Sequence, residues 1–183
     1  MGGDLVRWSH RNCAGTPGNR IRRLVVNDIG PTVPHKAEAG IGERLDRTPR
    51  RFKTFGDALS FFRDTFFDYG VMDDIRWSHI VRHSIEWSER DCAFNLLYDP
   101  NITTAYHLYR YYSSSLWTFW RNIQVPILII VGEKSKVLPP ELVREMQRQN
   151  PRAPCLKVPD VGHMPMLMQS NQVDPVVKFL MEQ

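Results

Sequence analysis

Two residues of the types that carry out proton-transfer chemistry follow short apolar runs in this chain. His163 stands directly after Gly162, just beyond an apolar run at Cys155 to Val158. Asp28 comes soon after Leu24-Val25-Val26, another short run with the character of a buried strand. Open α/β sheets bind ligands and do chemistry at the carboxyl ends of their parallel strands. We therefore predict that both side chains lie at that edge of a sheet.

The apolar runs themselves predict the sheet. The five residues from Ile127 to Val131 are too few for a typical helix and end at Gly132, as expected for a strand buried on both faces. A helical spacer separates this run from the next one, which is typical of a right-handed crossover between parallel strands. We expect an α/β fold with strands at about residues 22–27, 127–131 and 155–158.

The segment between the first two strands has a helical pattern. One helix face is formed by apolar residues at helical spacing: Phe55, Ala58, Leu59, Phe62 and Phe66. Thr54 and Asp57 are an acidic variant of a capping box at its start. The aromatic-rich stretch 101–120 is either a lid over the site or the core of its own subdomain, and core packing is the commoner use of such rings.

A last helix is predicted from about Asn171 to Met181. Its apolar positions are expected to cover one face of the sheet: Val173, Val176, Val177, Leu180 and Met181.

Composition limits the classes of function. A chain of 183 residues with 42% hydrophobic content can bury one core, and it has neither an 18-residue apolar run nor a signal-peptide core. We therefore expect a cytoplasmic protein without a membrane partner. The net charge is +4, but the basic residues are scattered except around Arg20 to Arg23 and Arg47 to Lys53, and no nucleic-acid motif accompanies them. We therefore do not expect a nucleic-acid partner. Cys13, Cys92 and Cys155 lack metal-ligand spacing and are expected to be reduced and mostly buried, and we expect neither a metal nor a cofactor.

Several stretches, taken in order, match a known family. They are RRLVVNDIGP, RFKTFGDALSFFRDTFFDYG, LYDPNI, LWTFWRNIQVPILIIVGEKS, and VPDVGHMPML followed by QVDPVVKFL. Their order and spacing resemble the α/β-hydrolase fold superfamily, specifically bacterial esterases and carbon-carbon hydrolases. The resemblance implies a partial fold with the sixth to eighth strands of that sheet. Residues 1–31 would hold the segment after the nucleophile elbow and the sixth strand, 32–124 a helical cap, and 125–183 the histidine turn and closing helix.

The resemblance also implies roles for individual residues. His163 matches the general base of a triad of nucleophile, histidine and acid. Relatives place the acid shortly after the seventh strand, where this chain has Ser135 and Lys136 instead. Asp28 follows the sixth strand, where some members of the superfamily keep their acid, and Glu133 is a second substitute. Alternatively, Asp28 is a turn residue that bonds its own backbone.

The nucleophile of the family has no match in this chain. Met1-Gly2-Gly3 resembles the end of the elbow motif, with the serine expected one position before the first residue. Ser9, His10 and Cys13 lack a strand-to-helix elbow and are poor substitutes. We therefore expect a chain truncated before its nucleophile, with impaired or absent activity.

The expected inherited activity is hydrolysis of an ester or a similar carbonyl compound, with a small apolar substrate. The alternative is a non-catalytic remnant that binds a partner through the cap or the open edge of the sheet. The strand at Leu24–Val26 would have a bare edge, which predicts self-association.

Overall fold

The computed structural model describes residues 21–34, 40, 43–44, 47–70, 73–99 and 115–182. The strands are β1 (Leu24–Asn27), β2 (Arg51–Phe52), β3 (Ile85–Ser88), β4 (Ala93–Leu96), β5 (Ile127–Gly132) and β6 (Cys155–Val158). The helices are α1 (Phe55–Thr65), α2 (Asp74–Arg82), α3 (Trp117–Asn122), α4 (Pro140–Gln149) and α5 (Ser170–Met181). A single 3₁₀ turn, Phe67–Tyr69, follows α1.

The parallel sheet has β5 at its centre, between β1 and β6. Val26 is aligned with Ile129 across one ladder, and Ile130 with Leu156 across the other. All six residues of β5 are buried, as expected for a strand covered on both faces. The three predicted parallel strands and the α/β fold are thus confirmed.

The main core lies on the face of this sheet that packs against α3 and α4. Val26, Ile129 and Met146 are fully buried there, and Trp120 is 1% exposed. The indole N–H of Trp120 donates to the carbonyl of Met146 at 2.8 Å, so the buried ring leaves no unpaired donor. Trp120 therefore packs in the core of the sheet. The tyrosines of the aromatic-rich stretch, at 106, 109, 111 and 112, lie outside the described residues.

The segment between β1 and β5 contains helices, as predicted, and also a small antiparallel sheet with β4 between β2 and β3. Its strands are only two to four residues long, too short to show a period of two in the sequence. Helix α1 begins with the predicted capping box: Thr54 and Asp57 each accept from the other's backbone N–H. Phe62, Phe66 and Trp77 form a separate core in this segment.

Helix α5 covers a face of the sheet, as predicted, but with only part of the predicted set of residues. Its buried residues are Gln172 and Phe179, and the ring of Phe179 packs with Val176 in a cluster that includes Leu128 and Ile130 of β5. The predicted positions Val177, Leu180 and Met181 are 51%, 48% and 75% exposed, so the prediction is wrong for these three. Phe179 takes the core position because its ring has a large apolar area to remove from water.

The two cysteines within the described residues are not buried, contrary to expectation: Cys92 is exposed and Cys155 is half-buried. Burial, and secondarily the charge of Asp28, raise the pKa of the Cys155 thiol. That thiol therefore stays protonated and unreactive near neutral pH. Among the described helices, none combines the length and apolar character needed to cross a bilayer.

The centre of the sheet should dominate the stability of the chain. Ile129→Ala empties a fully buried position of β5, and we expect a loss of about 2–5 kcal/mol in the free energy of unfolding. Ile75→Ala is the matched control, because Ile75 is 83% exposed on α2 and should change that energy by less than about 0.5 kcal/mol. Urea denaturation measures both. Equal effects would contradict the placement of the core.

Candidate active site

Asp28 ends β1 in an unusual backbone conformation. Its N–H donates to the carbonyl of Ile130 at 2.7 Å, which extends the β1–β5 ladder by one bond. Its φ of 52° then turns the chain into the left-handed region, which aspartate tolerates better than most residues. The carboxylate is completely buried. A buried carboxylate is costly unless it is paired, so its partners determine the local structure.

The partners of this carboxylate come from the loop after β6. Nδ1 of His163 lies 3.0 Å from Oδ2 of Asp28, and the backbone N–H of Met164 donates to the same oxygen at 2.9 Å. Because a carboxylate accepts hydrogen bonds and donates none, the ring proton is assigned to Nδ1. Nε2 then carries the free lone pair. The structure thus brings together the two predicted site residues, which are 135 positions apart in sequence.

Glu133, the other candidate acid, makes different contacts. Its carboxylate lies 2.9 Å from Nζ of Lys157 and accepts from the backbone N–H of Asp160. The hydrogen bond from Lys157, followed by that from Asp160, lowers the pKa of Glu133. These contacts are on the surface, and none of them involves His163. Of the two carboxylates considered from sequence, only Asp28 bonds the imidazole.

Ser135 occupies a position where relatives were expected to carry the acid. Its Oγ accepts from the backbone N–H groups of Val137 and Leu138, both at 3.2 Å. The side chain therefore caps the turn that leads into α4. A serine suits this purely structural task, since no charge has to be buried.

Two glycines allow the histidine loop to approach the sheet. A Cβ on Gly132 would lie 2.6 Å from the carbonyl oxygen of Val161 and would collide with that of Gly162. A Cβ on Gly162 would lie 2.6 Å from the carboxylate of Asp68. The obstacles at Gly132 are backbone atoms, so a side chain there would displace the loop that carries His163.

The inserted segment also holds the histidine loop. The N–H of Gly162 donates to the carbonyl of Asp68 at 2.6 Å, and the ring of Tyr69 packs edge-on against His163 with centroids 6.3 Å apart. Gly70 has a φ of 72°, and its backbone lies against Val161 with no space for a Cβ. The short turn after α1 therefore forms one wall of the site. Sequence reasoning missed it, although the Asp-Tyr-Gly sequence is a turn signal.

A further contact between these two regions comes from α2. Nε of Arg76 donates to the carbonyl of Met168 at 3.0 Å, and the amide of Gln169 donates to the carbonyl of Gly70 at 3.2 Å. Together with the contact of the turn at residues 67–70, these bonds join both ends of the histidine loop to the inserted segment. We infer that the orientation of the imidazole depends on that segment as well as on the sheet.

The region around the imidazole contains unfavourable backbone conformations. Met164 and Leu167 have φ values of 68° and 55°, and Asp28 has a similar value across the site. Such conformations cost about 1–3 kcal/mol each and persist where surrounding contacts impose them. Clustered strain of this kind is typical of functional sites.

Among the described residues, no serine, threonine or cysteine forms a hydrogen bond with the imidazole. Within this part of the chain, the His163 ring hydrogen-bonds Asp28 and packs against the ring of Tyr69. Ser9, His10 and Cys13, the weak candidates from sequence, lie outside the described residues. In the same described ranges, no group of three or more His, Cys, Asp or Glu side chains is arranged to hold a metal ion.

Comparison with known families shows to which family the chain belongs. The model of the alpha/beta hydrolase family matches residues 10–179, nearly the whole chain. The chain belongs to the alpha/beta hydrolase family. The family assignment made from the sequence resemblance is thereby confirmed.

Individual relatives agree with this assignment. The hydrolase chain is 27% identical over 174 residues to the 3-hydroxybutyrate-oligomer hydrolase of Cupriavidus necator, covering 91% of this chain and 59% of that enzyme. An alpha/beta hydrolase from Novosphingobium aromaticivorans superposes with a TM-score of 0.82 at 20% identity, covering 95% of this chain and 61% of the other. A Rickettsia typhi protein classed provisionally as a hydrolase superposes with a TM-score of 0.86 at 21% identity, covering 98% of this chain and 60% of the other. This chain therefore spans about three-fifths of the length of these relatives.

The glycine at the end of β5 offers a test of the site's construction. Gly132→Ala should push the Val161–Gly162 backbone away and lower the free energy of unfolding by about 1–3 kcal/mol. It should also shift the ring resonances of His163 in an NMR spectrum. Gly56→Ala is the control, since its Cβ would meet nothing closer than Thr54 Oγ1 at 3.6 Å. A Gly132→Ala protein with wild-type stability and unchanged His163 resonances would contradict the proposed close approach.

Proposed function

We propose that this chain carries the base and the acid of an ester-hydrolysing site, with His163 as general base and Asp28 as its acid. The observation that carries the proposal is the hydrogen bond between His163 and the buried carboxylate of Asp28 at the carboxyl ends of β1 and β6. These two strands flank β5, so the pair stands at the edge of the sheet where α/β proteins bind ligands. A carboxylate that fixes Nδ1 leaves Nε2 to accept a proton from a nucleophile.

The chemistry follows from this arrangement. In a complete triad, a serine hydroxyl, which the described residues of this chain do not supply, attacks the ester carbonyl while the base, here Nε2 of His163, accepts its proton. The imidazolium then gives that proton to the departing alkoxide as the carbon–oxygen bond of the ester breaks. A water molecule attacks the acyl-enzyme with the same base, releasing the acid and regenerating the serine. Asp28 stabilises the imidazolium and maintains the tautomer through both steps.

The contacts of the other candidate positions support Asp28 as the acid. Ser135 caps its own turn and Glu133 pairs with Lys157, so neither is available to His163. Asp28 follows β1 on the opposite side of β5, and its carboxylate reaches the same imidazole from there. We therefore assign the acid to the end of β1.

We propose that residues 32–124 act as a cap which selects the substrate, between the segment 1–31 and the remainder of the hydrolase sheet at 125–183. A cavity of about 100 Å³ in this segment is lined by aromatic and apolar side chains that include Phe62, Phe66 and Leu96. Such walls suit a small apolar acyl or alkyl group. The relative named as a 3-hydroxybutyrate-oligomer hydrolase supports an ester as the bond that is cleaved.

A second function is supported by the edge of the sheet. Among the described residues, β1 pairs with β5 on one side and with no strand on the other. An unpaired edge can bind an additional strand, either from a second copy of this chain or from another polypeptide.

We expect the chain by itself to be a weak hydrolase, because a nucleophile beside His163 is missing from the described residues.

Ester turnover distinguishes the two functions. We expect the purified chain to hydrolyse p-nitrophenyl butyrate slowly but above the buffer rate. His163→Ala should abolish this turnover, and Asp28→Asn should reduce it strongly, because loss of the acid costs up to about 10⁴-fold in complete triads. His79→Ala, on the surface helix α2, is the control and should retain the rate.

Two outcomes would contradict the enzymatic proposal. One is a rate that is unchanged in both site variants. The other is no turnover above buffer, which would favour the binding function, and most clearly if the chain also self-associates in sedimentation experiments.

A further inference from the structure

A second cavity shares Phe61 with the apolar one. Its volume is about 280 Å³, and the residues that line it are Gly40, Glu43, Arg44, Arg47, Phe61 and Thr65. The first four have the spacing of a single helix face, and the described residues among 40–47 are helical. The cavity thus has one wall that carries two guanidinium groups and one carboxylate, with a net charge of +1.

Contacts with aromatic residues hold Arg44 in place. Nη1 of Arg44 donates to the phenolic oxygen of Tyr69 at 3.4 Å, and the guanidinium carbon lies 5.7 Å from the centroid of the Phe66 ring. The hydroxyl of Thr48 donates to the Arg44 carbonyl at 2.8 Å. A guanidinium held by a ring and a phenol is partly ordered before any ligand arrives, which lowers the entropic cost of binding.

The arginines of this wall differ from those that form ion pairs in this chain. Five described arginines pair with carboxylates: Arg23 with Glu182, Arg51 with Asp91, Arg63 with Asp74, Arg76 with Asp73 and Arg148 with Glu145. No carboxylate of the described residues pairs with Arg44 or Arg47, even though Glu43 lies on the same face. A planar guanidinium with free N–H groups is the side chain best matched to a carboxylate ligand.

Tyr69 links Arg44, at the wall of this cavity, to the imidazole. Tyr69 contacts Arg44 through its hydroxyl and His163 through the edge of its ring. Phe61 lines both cavities, and Phe66 lines the apolar one while it supports Arg44. A ligand could therefore place an apolar part against these rings, a charged end against Arg44 and a reacting group towards His163.

We propose that the cavity lined by Arg44, Arg47 and Phe61 binds the carboxylate of the substrate, and that Arg44 selects esters that carry a free acid group. This inference rests on the proposed ester hydrolysis and names its substrate class. Short oligoesters of hydroxy acids have this chemistry, since each molecule contains ester bonds and ends in one carboxylate. The name of the Cupriavidus necator relative refers to a compound of that class.

A binding experiment tests the inference without requiring turnover. The probes are the linear dimer of 3-hydroxybutyrate, which has a free carboxylate, and its methyl ester, which has none. Binding of each to the His163→Ala chain is measured by ligand-observed NMR, so that hydrolysis does not consume the probe. We expect the acid to bind more tightly than the methyl ester. Added salt should weaken the binding of the acid and leave the binding of the methyl ester unchanged.

Substitution of the arginine should remove the difference. Arg44→Gln should weaken binding of the acid about tenfold or more, because a charge-assisted hydrogen bond is lost, and should leave the methyl ester unchanged. Arg63→Gln is the matched control: Arg63 lies on neighbouring α1 and already pairs with Asp74. It should leave the affinity for both probes unchanged.

The outcomes separate this inference from the proposed function. Equal affinity for the two probes, or equal losses in Arg44→Gln and Arg63→Gln, would overturn carboxylate recognition even if ester turnover is found. Selective loss of acid binding in Arg44→Gln would support it even if the chain proves to be a poor catalyst.

Discussion

The structure of the site depends on one buried negative charge. The carboxylate of Asp28 is fully removed from solvent, and an ion in that position is stable only with close polar partners. One oxygen accepts hydrogen bonds from both the imidazole of His163 and the N–H of Met164. The other oxygen, Oδ1, is buried and has no hydrogen-bond partner among the described residues. The need to satisfy this charge therefore ties the end of β1 to the loop after β6.

Several independent features support that link between two distant parts of the chain. Gly132 lets the loop approach β5, and the turn around Gly70 packs against Val161 from the opposite side. Asp28 and Met164 both have positive φ angles, which residues other than glycine rarely adopt by themselves. The surrounding contacts therefore impose these angles. The imidazole is thus fixed by the sheet, the carboxylate and the inserted segment together. A rigidly oriented histidine meets the geometric requirement of the proton transfer proposed for it.

Much of the fold could be predicted because short-range patterns specify it. Five consecutive apolar residues at Ile127–Val131 and a terminal glycine suffice to identify the central strand, and Thr54 with Asp57 identifies the start of α1. The face of α5 could not be predicted in this way. Its apolar residues are spread around the helix, and packing of Phe179 against the sheet decides the rotation.

The site was predictable in position but not in its bonds. His163 and Asp28 each follow a recognisable strand, yet no local signal reports that they meet, and Glu133 was a second, less favoured candidate in sequence. The role proposed for Arg44 depends on contacts with Tyr69 and Phe66, residues more than twenty positions away on another element. Interactions of this kind arise from tertiary packing and have no signature in spacing.

The state of the ring proton of His163 tests the central claim most directly. In a chain with isotope-labelled histidine, NMR should show a slowly exchanging, low-field proton on Nδ1 of His163, identified by its loss in His163→Ala. We expect this signal in the wild-type chain and its disappearance in Asp28→Ala, because the carboxylate that accepts the proton is gone. A wild-type spectrum with the proton on Nε2, or a signal that survives in Asp28→Ala, would contradict the pairing of His163 with Asp28.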